Sequence, residues 1–214
     1  VTPAHAFLSF GLCKFEEPKN GDLNLTDGSF VDMSGVLPAG SKFKFFGKEY
    51  GPSEIYVGSN GYVTFGQGDI NWIESLDALC SIPRIAPLFD DFNPSAGGEV
   101  KAEYRKFPPR LIVTWDDVPE FGNFGSNTLQ LILFLGTNKY HMSYNGLTAQ
   151  DGLTGLCKGW PPPQSDISAS STVKGSVGVI YEEFNAGGKP FDLDGECLKG
   201  TPVPFENSTP VLRK

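Results

Sequence analysis

The sequence predicts an all-β protein, an antiparallel β-sandwich of about ten short strands stabilised by disulfides. Three observations predict it. Seventeen Phe, 26 Gly and 17 Pro among 214 residues favour pleated sheets punctuated by turns. No stretch carries the apolar periodicity of an amphipathic helix. Finally, Ile55-Tyr56-Val57 and Tyr62-Val63-Thr64-Phe65 flank Asn60-Gly61. Such a pair supplies the positive φ angles of a two-residue type I′ hairpin.

The elements follow in order. Residues 7–15 read as a first strand and residues 16–34 as a long polar surface loop. Residues 42–46 open the dense β region, and residues 66–79 form a loop holding Trp72. Residues 82–92 are an apolar strand interrupted by Pro83 and Pro87, with turn chemistry at 93–98. Glu99, Lys101 and Glu103 then alternate with Val100, Ala102 and Tyr104, as a half-buried strand does. Pro108-Pro109 marks a turn, residues 111–115 a continuous apolar strand and residues 116–127 a loop. Residues 128–135 and 139–144 make a hairpin across Gly136-Thr137-Asn138. Residues 153–157, 176–181 and 191–198 supply the last strands, with Pro161-Pro162-Pro163 and a Ser-rich loop between the first two. Neither a repeat nor a linker divides the chain. Residues 1–36 form an N-terminal strand and polar extension, 37–205 the sandwich core and 206–214 a tail.

The formal net charge of −8 disfavours nucleic acid and anionic membranes, which need clustered Lys and Arg. Lys42, Lys44 and Lys48 read as a solvated strand face. No run approaches the ~18 apolar residues of a membrane span. Cys13, Cys80, Cys157 and Cys197 are even in number, widely spaced and without a CxxC pair. That pattern suits two disulfides in a secreted protein better than a zinc site. Three connectivities are open, and we favour Cys80 with Cys157 and Cys13 with Cys197. Asn24-Leu25-Thr26 and Asn207-Ser208-Thr209 are glycosylation sequons, with Asn24 and Asn207 as acceptors. Ala4-His5-Ala6 has the small-x-small form of a signal peptidase site.

Phe45-Phe46-Gly47-Lys48-Glu49-Tyr50, followed by residues 55–66 (IYVGSNGYVTFG), resembles the opening of NIDO-like domains, the nidogen-type β-domains of extracellular matrix and bacterial surface proteins. The likeness continues through IPRIAPLFDDFNPSAGG, LIVTWDDVPEFG, SNTLQLILF, DGLTGL and YEEFNAGGKPFDLDG, in order and over residues 37–198. It is similar to the form common in large bacterial surface proteins. The cysteines and the segment before residue 37 depart from that form and suggest a secreted, disulfide-adapted member. The resemblance implies an interaction module rather than an enzyme. Ala4-His5-Ala6-Phe7 also resembles the cleavage motif of plastid presequences in algae with secondary plastids, which implies a thylakoid-lumen alternative.

The candidate chemistry is sparse. Asp90-Asp91, Asp116-Asp117 and Glu182-Glu183 are adjacent pairs, and neighbours on a strand face opposite sides. No pair alone is therefore a two-carboxylate catalytic site. Asp90, Asp91 and Asn93 end a strand before a Gly-rich turn, a spacing that suits Ca²⁺ or plain Asx-turn capping. Asp151, Asp192 and Asp194 are further carboxylates that could join them. The two histidines are His5 and His141, and His141 lies in an alternating strand where a structural imidazole is the default. No GxSxG elbow or P-loop is present. Most aromatics must fill the core, but Tyr62 is also a candidate for a contact surface. Trp72, Trp160, Phe121 and Phe124, in expected loops, are the residues assigned to contact a protein or glycan.

Three functions are thus weighed. The first is a non-enzymatic extracellular interaction or adhesion module that needs no cofactor beyond an optional Ca²⁺. The second is an accessory structural subunit of a large, membrane-associated assembly, including one in the plastid lumen. The third is a glycan-active enzyme using Asp90, Asp91, Asp116 or Asp117 as acid and base.

Overall fold

Runs of β-branched and aromatic residues form strands along the chain, and Gly and Pro end them. The computed structural model describes residues 15–18, 21–122, 124–159, 178–184, 191, 193 and 197–202. In chain order the strands are β1 (Phe30–Asp32), β2 (Phe43–Phe45), β3 (Lys48–Tyr50), β4 (Ile55–Gly58) and β5 (Val63–Phe65). A helix, α1 (Leu76–Ser81), precedes β6 (Pro83–Phe89), β7 (Glu99–Lys106), β8 (Pro109–Glu120) and β9 (Phe124–Phe134). The last are β10 (Lys139–Tyr144), β11 (Gly152–Lys158), β12 (Gly178–Phe184) and β13 (Cys197–Gly200).

One sheet runs β1-β4-β5-β6-β11-β12, a second runs β13-β10-β9-β8-β7, and β2-β3 form a separate ribbon. Every pairing is antiparallel. The two large sheets share one core: Val57, Val63, Ile85 and Leu156 from the first meet Val113, Trp115, Leu131 and Met142 from the second. The ribbon adds Phe43, Phe45 and Tyr50 to that core. Trp115 is fully buried, and its Nε1 donates to the Gly58 carbonyl at 3.0 Å, joining β8 to β4 across the layers.

The six-stranded sheet is also covered on its outer face. Tyr62, Leu79, Ala86, Phe89 and Leu153 form a second apolar cluster there. α1 lies over it, held by the disulfide Cys80–Cys157, whose Cα atoms are 5.1 Å apart. Burial on both faces explains why residues 82–92 read as one apolar run rather than an alternation. Leu153 pairs with Phe89 while Gly155 pairs with Ala86, so β6 carries one residue more than β11 between those points. Pro87 sits in this bulge, where a residue without an N–H is tolerated. Its carbonyl accepts from Tyr144 Oη at 2.8 Å and Thr154 Oγ1 at 2.6 Å.

The pairing expected for Cys80 and Cys157 is present. Cys197 is disulfide-bonded as well, and Cys13 lies outside the described residues. Other expectations change. The strand expected at residues 7–15 falls almost wholly outside the described residues. Phe30–Asp32, read as loop, pairs with β4. α1 was not expected, because six residues are too short to show a helical period. It is started by Ser75, whose side chain accepts from the Ala78 N–H at 3.1 Å. Residues 116–127, expected to be loop, extend β8 to Glu120 and restart as β9 at Phe124. Thirteen strands therefore stand among the described residues.

The hairpin at Asn60-Gly61 forms, but as a three-residue loop. Gly58 N donates to Tyr62 O at 3.0 Å, leaving Ser59, Asn60 and Gly61 as the turn. Only Gly61 has a positive φ, +71°, and a Cβ there would collide with the Leu88 carbonyl oxygen. This is the αL position that closes a three-residue loop.

The N-terminal side of the chain is pinned to the five-stranded sheet. Glu16 accepts from Arg110 Nε at 2.8 Å and Nη2 at 2.6 Å and also binds Arg105. Gln130 bonds the Glu16 backbone twice, at 3.0 and 2.8 Å. Residues 21–23 lie along the edge of β7, where Leu23 N donates to Val100 O at 2.9 Å and Ala102 N to Gly21 O at 2.8 Å. Among the described residues, no helix is long and apolar enough to cross a membrane.

Candidate functional site

Three strand ends converge at one end of the sandwich. Asp90 directly follows β6, Glu120 closes β8 and Asp151 directly precedes β11. One carboxylate oxygen from each lies within 4.8 Å of the other two. Backbone pairing draws the segments together: Phe92 bridges to Glu120, and Phe121 N donates to Asp91 O at 2.6 Å. Gln150 N donates to Glu120 Oε1 at 3.0 Å, which brings the start of β11 alongside.

Asp90 is buried and Glu120 half-buried, while Asp151 reaches solvent. Asp90 Oδ1 accepts from the Asp91 N–H at 2.7 Å, and Oδ2 has no hydrogen-bond partner. Burial, then the nearby Glu120 carboxylate, pushes the Asp90 carboxyl well above the usual range. Burial raises Glu120 and Glu74 in the same direction. Glu74 also feels the charges of Asp151, Asp91 and Glu120. The set offers only oxygen, the donor type of hard cations.

Exposed apolar side chains bracket this cluster. Ile70, Trp72 and Ile73 immediately precede Glu74 and are 56%, 55% and 53% exposed. Phe121 and Phe124, which are 58% and 67% exposed, lie where β8 turns into β9 just beyond Glu120. The Trp72 loop is anchored from beneath. The Asn71 carbonyl accepts from buried Asn60 Nδ2 at 3.0 Å and from Tyr62 Oη at 2.8 Å. The Asn71 side chain in turn accepts from Ile73 N at 2.9 Å. Tyr62 is thus a buried support, 1% exposed. Its ring lies 4.3 Å from the guanidinium of buried Arg84, which also stands over Phe89 and binds Asp69.

The sequence-assigned residues separate as follows. Trp72, Phe121 and Phe124 are exposed, and Trp160 lies outside the described residues. Asp90 joins the carboxylate cluster. Asp91 contributes its backbone beside it, and Asn93 Oδ1 caps its own turn by accepting from Ser95 N at 3.0 Å. Asp151 is in the cluster, whereas Asp192 and Asp194 lie outside the described residues. Asp116 is ion-paired with Lys101 at 2.8 Å, and Asp117 accepts from Ser126. His141 packs edge-on against Phe134 at 4.6 Å. Asn24 is exposed, and Asn207 lies outside the described residues. Glu120 and Glu74 were missed, since neither belongs to an adjacent acidic pair; the reach of β8 brings Glu120 to Asp90.

No curated protein and no solved structure matches the chain. A family model described as NIDO related does match, over residues 18–177. That span carries β1 to β11, the carboxylate cluster and both exposed apolar segments, and by it the chain belongs to the NIDO-related family.

Proposed function

We propose that this domain is a non-enzymatic extracellular interaction module that binds a protein or glycan through the loops bracketing the acidic end of the sandwich. The observation that carries the reading is the Trp72 loop. Ile70, Trp72 and Ile73 are exposed, yet the backbone between them is tied to buried Asn60 and Tyr62. Large apolar side chains held outward on a fixed backbone lose little conformational freedom on binding, which favours affinity. Phe121 and Phe124 add a second aromatic element near the same carboxylates. Membership of the family and the disulfides at Cys80–Cys157 and Cys197 support an oxidising, extracellular setting.

The test compares the native domain with the triple variant Trp72→Ala, Phe121→Ala, Phe124→Ala. Both are immobilised and exposed to extracellular-matrix extract and to a glycan array. The wild type should retain a defined protein or glycan set, and the variant should lose it with an unchanged circular dichroism spectrum and melting temperature. Equal retention by both proteins would overturn the reading. Recovery of a fixed stoichiometric partner set that ignores these three residues would assign the chain instead to an assembly as an accessory subunit.

A further inference from the structure

We propose that Asp90, Glu120 and Asp151 bind a Ca²⁺ ion. Three features of the cluster point there. Oxygens on opposite sides of one Ca²⁺ stand about 4.6–5.2 Å apart, twice the usual Ca–O distance. The three carboxylates offer oxygens within 4.8 Å of one another, so one ion can touch all three. They come from three separate strand ends, so the convergence is set by the fold rather than by local sequence.

The second feature is the orphaned oxygen. Asp90 is 3% exposed, and its Oδ2 has no hydrogen-bond partner. A buried carboxylate oxygen without a donor is costly unless something positive faces it. Among the described residues, no Lys or Arg forms an ion pair with Asp90, Glu120 or Asp151.

The third is the kind of ligand. The three side chains of the cluster are all carboxylates, and Glu74 adds a fourth acidic group within electrostatic reach. Neither sulfur nor imidazole takes part in the cluster, which removes the donors that zinc and copper prefer. Asp151 reaches solvent, so water can complete the six to eight oxygens that Ca²⁺ takes. A Mg²⁺ ion needs a near-ideal octahedron at shorter distances and gives up its water reluctantly. The bound ion would tie the ends of β6 and β8 to the start of β11. The site stands whether or not the adjacent loops bind a partner.

The experiment uses the full chain stripped with EDTA and titrated with CaCl₂ by isothermal calorimetry, with melting temperature as a second readout. The wild type should bind one Ca²⁺ per chain. Its melting temperature should rise by about 5–10 °C at a hundredfold excess over Kd. Asp90→Asn keeps the shape and the Oδ1 contact with Asp91 but removes the charge, and it should weaken binding at least tenfold. Asp151→Asn, at the solvent side, should do the same and serves if the buried variant does not fold. Absence of binding heat and of any melting shift in the wild type would overturn the site. So would unchanged affinity in both variants, or MgCl₂ binding as tightly as CaCl₂.

Discussion

His141 shows how a single position on a strand acquires a pH signature. Tyr140, Met142 and Tyr144 point into the core, so His141 points to the outer face of β10. It lies opposite Lys199 in the register and against the Phe134 ring. Burial, and then the Lys199 charge, lower its pKa from 6.5 to about 4, with Lys139 acting in the same direction and Glu16 opposing. Between those values the unfolded chain holds a proton that the folded chain does not, so stability falls as pH drops from about 6.5 to about 4. We expect His141→Gln to flatten that part of the urea-unfolding profile relative to wild type, with the two profiles parallel above pH 7. Parallel profiles throughout would show that the imidazole stays solvated. The sequence already places His141 as structural, because alternation sets its face. Tyr62 is harder to place from sequence alone, since α1 and the Arg84 guanidinium that bury it come from residues 76–84.

At the scale of elements, α1 is the least self-sufficient part of the fold. Six residues cannot sustain a helix in water, so its stability comes from the buried side of Ala78, Leu79 and Cys80 and from the bond to Cys157. The disulfide closes a separation of 77 residues, for which chain entropy gives about 4.5 kcal/mol. We expect the double variant Cys80→Ser, Cys157→Ser to lose stability of about that size. Amide exchange should quicken first in α1 while β8 and β9 stay protected. Uniform loss of protection across the sandwich would show instead that the helix and sheets unfold as one unit. Long alternating or apolar strands such as β7 and β9 were legible in sequence, because period two and turn residues suffice to mark them. The extension of β8 through Asp116-Asp117 to Glu120 was not, since an acidic pair and Pro119 interrupt the apolar run and look like a loop although Val118 is buried. The carboxylate cluster was hidden for the same reason: Glu120 reaches Asp90 only because β8 runs that far.

At the scale of the whole molecule, two antiparallel sheets and one shared core were readable from composition and turn spacing. Their strand order was not, since β6 pairs with β11 across 63 or more intervening residues. Such a sandwich has edges, and each open edge is a template for another strand. On the five-stranded sheet the β7 edge is occupied by residues 21–23. Gly21 makes this possible: its φ is +108°, and a Cβ would run into the Ala102 carbonyl oxygen. We expect Gly21→Val to lift this segment and to shift the protein toward larger species in sedimentation velocity at high concentration. A sedimentation profile matching wild type would mean that the segment is not what guards the edge. Because the chain lays its own backbone beside Val100 and Ala102, a foreign strand finds that stretch of the β7 ladder already taken. Any partner approaching from that side meets a finished border.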